Sequence, residues 1–498
     1  MRDASPSDPD TAPAALPSSR GARRLEGRPT AFYVLLLVPL VLLTEIAALE
    51  ITLIYPALQA MQAEFDTPSI GWALTVTSLM GVVAQPMLGK VADVIGKKRM
   101  ILFAAVAFMA GSAVCALAPS FPILLIGRAL QGVCMVVAPA AYGLIRDILP
   151  ARAVPVAMGA ITTGLGLSSL AGPLIGGALV SAFGFRAVFW FCLLYAAALA
   201  PVVLLVLPES TVRLRRRIDV AGGLLLGSGV GALLLAVGQG RAWGWLSPST
   251  LSCFTVAAGL LALFVRVELR AEEPLVDLRL LTGPALRWTL LATYGGAFAI
   301  GGYGYLIPLL VQSPESAGYG LGLGAMGVAL FLVPQGVLAS VCGPLGGLLA
   351  RHRAPRTALL VAASALTASS LCVALLHTAA WQFFLAAVLQ GVGFGFFFVS
   401  ASNLVIEAVP ATRTAVNAGM MGVANNLGNA TGVTVFGGVL AAHLLTGGHD
   451  GHPAVHAESG FVLALLTAAC AAGAALLIAA FMRHGRTPAT GGATAPAH

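Results

Sequence analysis

GKVADVIGKKR (Gly89–Arg99) is the stretch that decides how this chain is read. It sets Lys90, Lys97, Lys98, Arg99 and one acid, Asp93, between two long apolar runs in a chain otherwise poor in charge. A degenerate copy, GGLLARHRAPR (Gly346–Arg356), recurs between two later apolar runs. Charged hinges that recur between apolar stretches mark a duplicated bundle of membrane-spanning helices with its charged loops on one side.

Composition agrees. The 498 residues are 58% hydrophobic and 10% charged, against roughly 25% charged in a soluble domain. Crossing ~30 Å of hydrocarbon takes about 20 apolar residues per helix. Fourteen such runs are found, near 32–56, 70–89, 100–118, 121–145, 154–182, 186–207, 219–238, 249–268, 287–311, 322–349, 356–376, 381–406, 414–441 and 460–482. They must be helices, because lipid satisfies no open backbone group, and the period-2 alternation of a barrel is not seen. Cations concentrate in alternate loops (Lys90–Arg99, Arg146–Arg152, Arg213–Arg217, Arg266–Arg287, Arg351–Arg356) and in both tails. Positive loops stay in the cytoplasm, so both termini are expected inside and the number of spans even. The net charge of +8 is therefore a topology signal, and nucleic acid is not an expected partner. The seven cysteines lie in or at the ends of apolar runs and form no CxxC, as expected of packing residues.

The duplication extends beyond the hinges. ALQGVCMVVAPAAYGLIRDILPA (Ala129–Ala151) resembles VLQGVGFGFFFVSASNLVIEAVPA (Val388–Ala411), and Ala151 and Ala411 are 260 residues apart. In that register Gly159 matches Gly419 and Gly172 matches Gly432. The expected organisation is a disordered cytoplasmic tail (1–30), an N-terminal six-helix bundle (31–210), and a linker with two inserted spans (211–280). A C-terminal six-helix bundle (281–484) and a second cytoplasmic tail (485–498) follow. Parallel repeats of this kind place a substrate site near the midplane between the halves.

Glu45 and Glu50 are the acids well inside a span, and Arg128 is the intramembrane cation. A carboxylate at that depth costs about 2.5–3.5 kcal/mol on insertion scales. Desolvation favours the neutral carboxyl and a neighbouring cation favours the charged one; the sequence leaves that balance open. Such a group can take a proton from one side and release it to the other. Counting helix rise, Glu50 and Arg128 both sit ~10 Å below the outer surface, which pairs them. In the hinge, Asp93 beside Gly96 is placed to reach a helix N-terminus. Lys97 and Lys98 are placed to clamp neighbouring cytoplasmic helix ends in one state and release them in the other. SSLAGPLIGG (Ser168–Gly177) spaces glycines about a turn apart around Pro173, which suits either close helix approach or a bend. Tyr55, Gln131, Tyr142, Tyr303, Gln390 and Asn403 are polar or aromatic residues in spans. A cavity lined by such groups suits bulky amphiphilic or cationic molecules.

The hinge Gly89–Arg99, with Gly89, Asp93, Gly96, Lys97 and Lys98, resembles a signature loop of the major facilitator superfamily, with Val94 where an Arg is usual. GRALQG (Gly127–Gly132) is similar to that family's fourth-helix motif, with Arg128 as its embedded arginine. Gly159, Gly172, Pro173, Gly176 and Gly177 match its antiporter motif, with Ser168 where Gly is preferred. LEITLIYPAL (Leu49–Leu58), RRRIDVAGGLLL (Arg215–Leu226), GQGRAWGW (Gly238–Trp245) and PLVDLRLL (Pro274–Leu281) resemble motifs of its fourteen-span drug:proton antiporters. The resemblance implies an all-α polytopic fold of two six-helix bundles plus two inserted helices. It also implies proton-coupled export of amphiphilic compounds by alternating access at the plasma membrane, by a monomer without cofactor beyond the coupling proton. Glu45, Glu50 and Arg128 are the expected coupling residues. Export of one endogenous metabolite, or proton-coupled uptake, is the alternative.

Other readings are set aside. GLGLGAMG (Gly320–Gly327) contains GxGxxG inside an apolar run with no strand before it, so it is not a dinucleotide site. The loop His449–Glu458 is read as an exposed outer loop and not as a metal site. No Walker A sequence is present, and no enzyme chemistry is expected.

Overall fold

The computed structural model describes residues 30–67, 69–149, 154–210, 219–276, 278–408, 414–446 and 455–488. The expected tails lie outside these residues almost entirely, as do Arg213–Arg217, His449, Asp450 and His452.

The first span is jointed. Helices α1 (Thr30–Thr44), α2 (Ile46–Ile54) and α3 (Leu58–Glu64) follow one another, with Glu45 at one joint and a 3-10 turn, Tyr55–Ala57, at the other. Pro56 fits that turn, where its missing N–H has no bond to lose. The N-terminal half continues with α4 (Trp72–Ile95), α5 (Lys97–Leu117), α6 (Phe121–Gly132), α7 (Val137–Ile148), α8 (Val154–Phe183) and α9 (Arg186–Val206). Gly96 alone separates α4 from α5. Its φ of 115° is one that side-chain-bearing residues avoid, so the chain reverses there in a single residue.

Helices α10 (Val220–Trp243) and α11 (Pro248–Arg270) form the inserted pair. The C-terminal half is α12 (Pro284–Gln312), α13 (Ala325–His352), α14 (Pro355–Leu375), α15 (Ala380–Glu407), α16 (Thr414–Ala442) and α17 (Glu458–Phe481). Before α17, strands β1 (Leu444–Thr446) and β2 (Val455–His456) pair antiparallel.

Twelve candidate spans are long and apolar enough to cross a membrane among the described residues, against the fourteen runs expected. The two helices outside that set are α8 and α16. The described apolar part of α8 is the shorter stretch Leu167–Phe183, and α16 is rich in Asn, Thr and Gly.

The halves meet symmetrically. The second helix of each half lies on the fifth of the other: α4 against α16, and α13 against α8. The α4–α16 seam carries Thr75–Thr434 (3.1 Å), Ser78–Asn429 (3.3 Å) and Asn426–Gln85 (3.1 Å) hydrogen bonds. Helix α10 lies over this seam, touching both α4 and α16. Its Gly223, Gly227 and Gly231 fall one turn apart and receive Met87, Val83 and Leu79 of α4. Helix α11 packs on α10 and leaves most of its surface outward, with only 17% of its apolar window buried.

Candidate functional site

The centre of the N-terminal half is an ion pair. Glu50 on α2 and Arg128 on α6 are 1% and 0% exposed, and Arg128 Nη1 sits on Glu50 Oε1. The guanidinium also donates through Nε to the Ala73 carbonyl of α4 (2.7 Å) and through Nη1 to Gln131 Oε1 (2.8 Å). Gln131 Nε2 passes the chain to Ser112 on α5 (2.8 Å). One cation thus ties α2, α4, α5 and α6 together. The planar guanidinium is suited to this, because its donors form a fixed fork that serves several acceptors at once. The depth match in the sequence anticipated the pair. Gln131, expected at the cavity surface, belongs instead to this cluster.

Glu45 occupies a separate place. It lies five residues before Glu50, so on a helix of 3.6 residues per turn the two project from different faces. Glu45 is 4% exposed, and Ser168 Oγ on α8 donates to its Oε2 (3.1 Å). Its Oε1 has no hydrogen-bond partner among the described residues. Gly164, one turn before Ser168, lets α8 approach the carboxylate closely. Ser168 is the position where the chain departs from the family's Gly, and that departure was the available sign of this contact. Thr52 of α2 donates to the Ser168 carbonyl (3.1 Å).

The glycine motif sits between two helices. Gly172 and Gly176 face Thr52 and Leu53 of α2, and Gly177 faces Ala325 and Ala329 of α13. The motif therefore joins α8 to the first helix of its own half and to the opposite half. Pro173 lies inside α8, and Gly159 belongs to the same helix. The repeat is visible here: Gly432 of α16 meets the backbone of Phe298 on α12 as Gly172 meets α2.

The hinge Gly89–Arg99 is organised differently from the expectation. Asp93 does not cap the α5 N-terminus; it lies 3.5 Å from Lys97, one turn along. The carboxylate at that N-terminus is Glu209, just after α9, which accepts from the backbone N–H groups of Lys98 (3.0 Å) and Arg99 (3.2 Å). An acid there is favoured by the unpaired N–H groups and the helix dipole. Lys97, 8% exposed, binds Asp147 at 2.7 Å, and Ser210 donates to the same carboxylate. Lys98 Nζ donates to the carbonyls of Leu204 (2.7 Å) and Leu207 (2.6 Å) at the end of α9. The Lys97 and Lys98 contacts thus join helix ends within the N-terminal half. Lys90 reaches further, to the carbonyls of Glu273 (2.7 Å) and Pro274 (2.6 Å) in the linker after α11. Gly89 faces open space. Sequence reasoning missed Asp147, Glu209 and Ser210; each follows an apolar run, but nothing in the spacing shows which helix end it meets.

The remaining cavity candidates are dispersed. Tyr55 packs on Gly304 of α12 across the halves. Tyr303 and Gln390 are buried, while Tyr142 and Asn403 are half-buried; the Asn403 amide donates to the Val399 carbonyl (2.9 Å).

Two six-helix halves meeting through their second and fifth helices, with a buried ion pair in one half, define a polytopic membrane transporter. Residues 40–433 and 336–496 match the Major Facilitator Superfamily, and the chain belongs to that superfamily, a family of non-enzymatic transport proteins. It is 28% identical over 401 residues to "Multidrug resistance protein Stp" of Mycobacterium tuberculosis, covering 80% of this chain and 74% of that one. It is 28% identical over 382 residues to the "Probable actinorhodin transporter" of Streptomyces coelicolor, covering 74% and 65%. Identity to the "Tetracenomycin C resistance and export protein" of Streptomyces glaucescens is 26% over 409 residues, covering 80% and 74%. The fold is that of a bacterial homolog of the human lysosomal transporter Spinster, with a TM-score of 0.64 at 15% identity over 91% of this chain and 98% of that one.

Proposed function

We propose that this transporter exports hydrophobic or amphiphilic compounds in exchange for protons, by alternating access at the plasma membrane with both termini in the cytoplasm. In this reading α8 and α16 are also spans, which makes fourteen and places the chain among the drug:proton antiporters. The observation that carries the reading is the fully buried Glu50–Arg128 pair. Protonating Glu50 removes its charge and frees the guanidinium for its other acceptors, so proton uptake rearranges contacts among α2, α4 and α6. Glu45, held by Ser168 alone on one oxygen, is a second place for a proton or for a cationic substrate. Substrate passes between the halves, and the protein works as a monomer. The names of the relatives, which speak of drug resistance and antibiotic export, favour export over uptake. Two of those names specify a single compound each, which favours a dedicated metabolite exporter as the second reading.

Inverted vesicles carrying the protein test this. Labelled substrate accumulates under an imposed pH gradient and the accumulation collapses with a protonophore. Accumulation that persists at full rate with the protonophore refutes proton coupling. A toxicity panel in a pump-deficient host separates broad from dedicated export.

A further inference from the structure

The outward face of α11 turns from apolar to basic in its last turns. Val256 and Leu263 are exposed on that face. Arg266 and Arg270 continue the same stripe at helical spacing, and both are exposed. Helix α11 has 23 residues, Pro248 to Arg270, and about 20 residues at ~1.5 Å each cross ~30 Å of hydrocarbon. Exposed Trp245 and Leu246 stand just before Pro248, and Trp favours the membrane–water interface. Counted from there, the hydrocarbon ends near Glu268. Arg266 and Arg270 therefore straddle its boundary with the headgroups.

Neither guanidinium is in an ion pair among the described residues. The acids around this end of the helix are engaged elsewhere. Glu268 is buried and accepts from the backbone N–H groups of Leu275 (3.1 Å) and Val276. Asp219 accepts from the Gly222 N–H (2.7 Å), and Glu272 and Glu273 have partners of their own. Arg279, in the 3-10 turn Leu278–Thr282 that follows, donates to the Leu269 carbonyl (2.8 Å). The carbonyl end of α11, where the helix dipole favours a cation, thus already has one. At the start of α12, the Arg287 guanidinium lies 5.4 Å from the centroid of the Trp288 ring, and both side chains are exposed.

We propose that this end of α11 binds the headgroup of an anionic phospholipid, with Arg266 and Arg270 on its phosphodiester and its acyl chains along the apolar face. Guanidinium forks match the spacing of phosphate oxygens. Side chains four residues apart on a helix stand ~5–6 Å apart at Cβ, so both arginines reach one headgroup. A zwitterionic lipid would bring an ammonium toward two unpaired cations, so the charge selects a headgroup without an amine. Arg279 and the Arg287–Trp288 pair border the site toward α12. The site shares a membrane face with the hinge Gly89–Arg99, because Lys90 holds the Glu273 and Pro274 carbonyls just after α11. The linker into α12 is then held by Lys90 on one side and by lipid at its start. The assignment needs only that the chain spans a bilayer and is independent of proton coupling.

The test is native mass spectrometry of the full-length protein, titrated with phosphatidylglycerol and with phosphatidylcholine of the same chains. Wild type is expected to retain the first phosphatidylglycerol more tightly than phosphatidylcholine. Each arginine near an anionic lipid is worth about fivefold, so Arg266→Gln with Arg270→Gln is expected to weaken phosphatidylglycerol about 25-fold and leave phosphatidylcholine unchanged. Both residues are exposed, and an unfolding midpoint equal to wild type in lipid-free detergent checks that the variant folds. Added phosphatidylglycerol is expected to raise that midpoint in wild type and not in the variant. The control is Arg351→Gln with Arg353→Gln, which removes the same charge from exposed positions at the end of α13, and it is expected to bind phosphatidylglycerol as wild type does. Equal weakening in the control overturns the proposal, because the attraction then belongs to the whole face. So does phosphatidylcholine held as tightly as phosphatidylglycerol in wild type, or phosphatidylglycerol binding unchanged in the Arg266/Arg270 variant. A dimer that excludes lipid and is broken by the same two substitutions overturns it too, since the face is then covered by a second copy of the chain.

Discussion

Replacing Glu50 by Gln keeps the side chain's size and removes its charge, leaving Arg128 as an unpaired buried cation. Removing one partner of a buried ion pair costs about 3–5 kcal/mol. The lower part of that range is expected here. The guanidinium keeps the Ala73 carbonyl at 2.7 Å and Gln131 Oε1 at 2.8 Å, and the new amide oxygen can still accept one hydrogen bond. A loss of about 3 kcal/mol is resolvable as a lowered unfolding midpoint in detergent or nanodiscs. The companion variant, Glu50→Leu with Arg128→Met, removes both charges together. Well-packed apolar replacements of a buried pair are neutral or stabilising, so the double variant is expected within about 1 kcal/mol of wild type. Transport separates the structural role from the coupling role. Both variants are expected to insert, and both are expected to lose flux driven by a pH gradient in inverted vesicles, although only the single variant is unstable. Wild-type pH-driven flux in either variant would remove Glu50 from the coupling step. A double variant as unstable as Glu50→Gln would refute the energetic argument itself.

Three further outcomes follow from named contacts. Ser168→Ala deletes the hydroxyl that donates to Glu45 and leaves a buried carboxylate with neither oxygen satisfied by a described donor; a loss of about 1–3 kcal/mol is expected, read as a lowered unfolding midpoint, with restoration in Ser168→Thr. Glu209→Gln weakens the anion at the α5 N-terminus, which is expected to cost about 0.5–2 kcal/mol and to raise tryptic cleavage at Lys98 and Arg99 relative to wild type. His456, in the hairpin before α17, is held below the usual histidine range because burial disfavours its imidazolium, with a bond to the Leu440 carbonyl opposing in part. The unfolded hairpin therefore takes up a proton first as pH falls through ~6.5. The hairpin is expected to be most stable above that value, to lose protection as pH drops through it, and to level off once the folded imidazole titrates. Hydrogen exchange at Leu444–Thr446, corrected for intrinsic rates, checks this, and protection that is flat from neutral to acidic pH refutes it.

The fold was legible because membrane insertion is a one-dimensional problem. Apolar runs fix the helices, without any knowledge of which helix touches which. The Glu50–Arg128 pair was legible for the same reason: depth is counted along the chain, and charges at equal depth in lipid seek each other. What distance along the chain cannot encode is lateral order. Glu209 and Asp147 look like any acid after a span, and their roles depend on the ends of α9 and α7 lying beside α5. Asp93, nearest Gly96 in sequence, was the natural capping candidate; its side chain instead faces Lys97 along the same helix–turn–helix. Gln131 was placed at the cavity because its polarity in a span needs an explanation, and Arg128, three residues away on the same helix, supplies one. The span count suffers where a helix faces its neighbours with amides and hydroxyls. Such a face in α16 carries Asn426 and Thr434, which bond to α4, and a hydropathy count registers them as polar although they are inside the bundle.

The two halves share geometry and differ in charge, and this difference constrains where proton coupling can reside. At the charged hinges, Lys98 grips the carbonyls that end α9, and Arg356 grips those that end α17, donating to Ala479 (2.7 Å) and Ala480. Where Glu209 accepts from the backbone at the start of α5, the Gly485 carbonyl accepts from the Arg356 N–H (3.1 Å) at the start of α14. A neutral carbonyl thus does in one half what a carboxylate does in the other. In the bundle interior, Gly132 seats α6 on α4 and Gly391 seats α15 on α13. In that same register, Ala387 stands where Arg128 would be, and Gln390 Oε1 is left without a partner where Gln131 has the guanidinium. The C-terminal half therefore keeps the seams of the repeat without its buried charges. Under the proposed rocking motion, the sliding seams are α4 on α16 and α8 on α13. The first carries Ser, Thr, Asn and Gln hydrogen bonds of 3.1–3.3 Å, and the second seats Gly177 on Ala325 and Ala329 and Gly336 on Leu170; weak bonds and small residues of this kind exchange partners at little cost. The charge network, by contrast, spans α2, α4, α5 and α6 and is too expensive to break piecemeal in a low-dielectric interior. Under the proposed function, the N-terminal half moves as one body that carries the Glu50–Arg128 pair, against a half whose described interior lacks a counterpart of that pair.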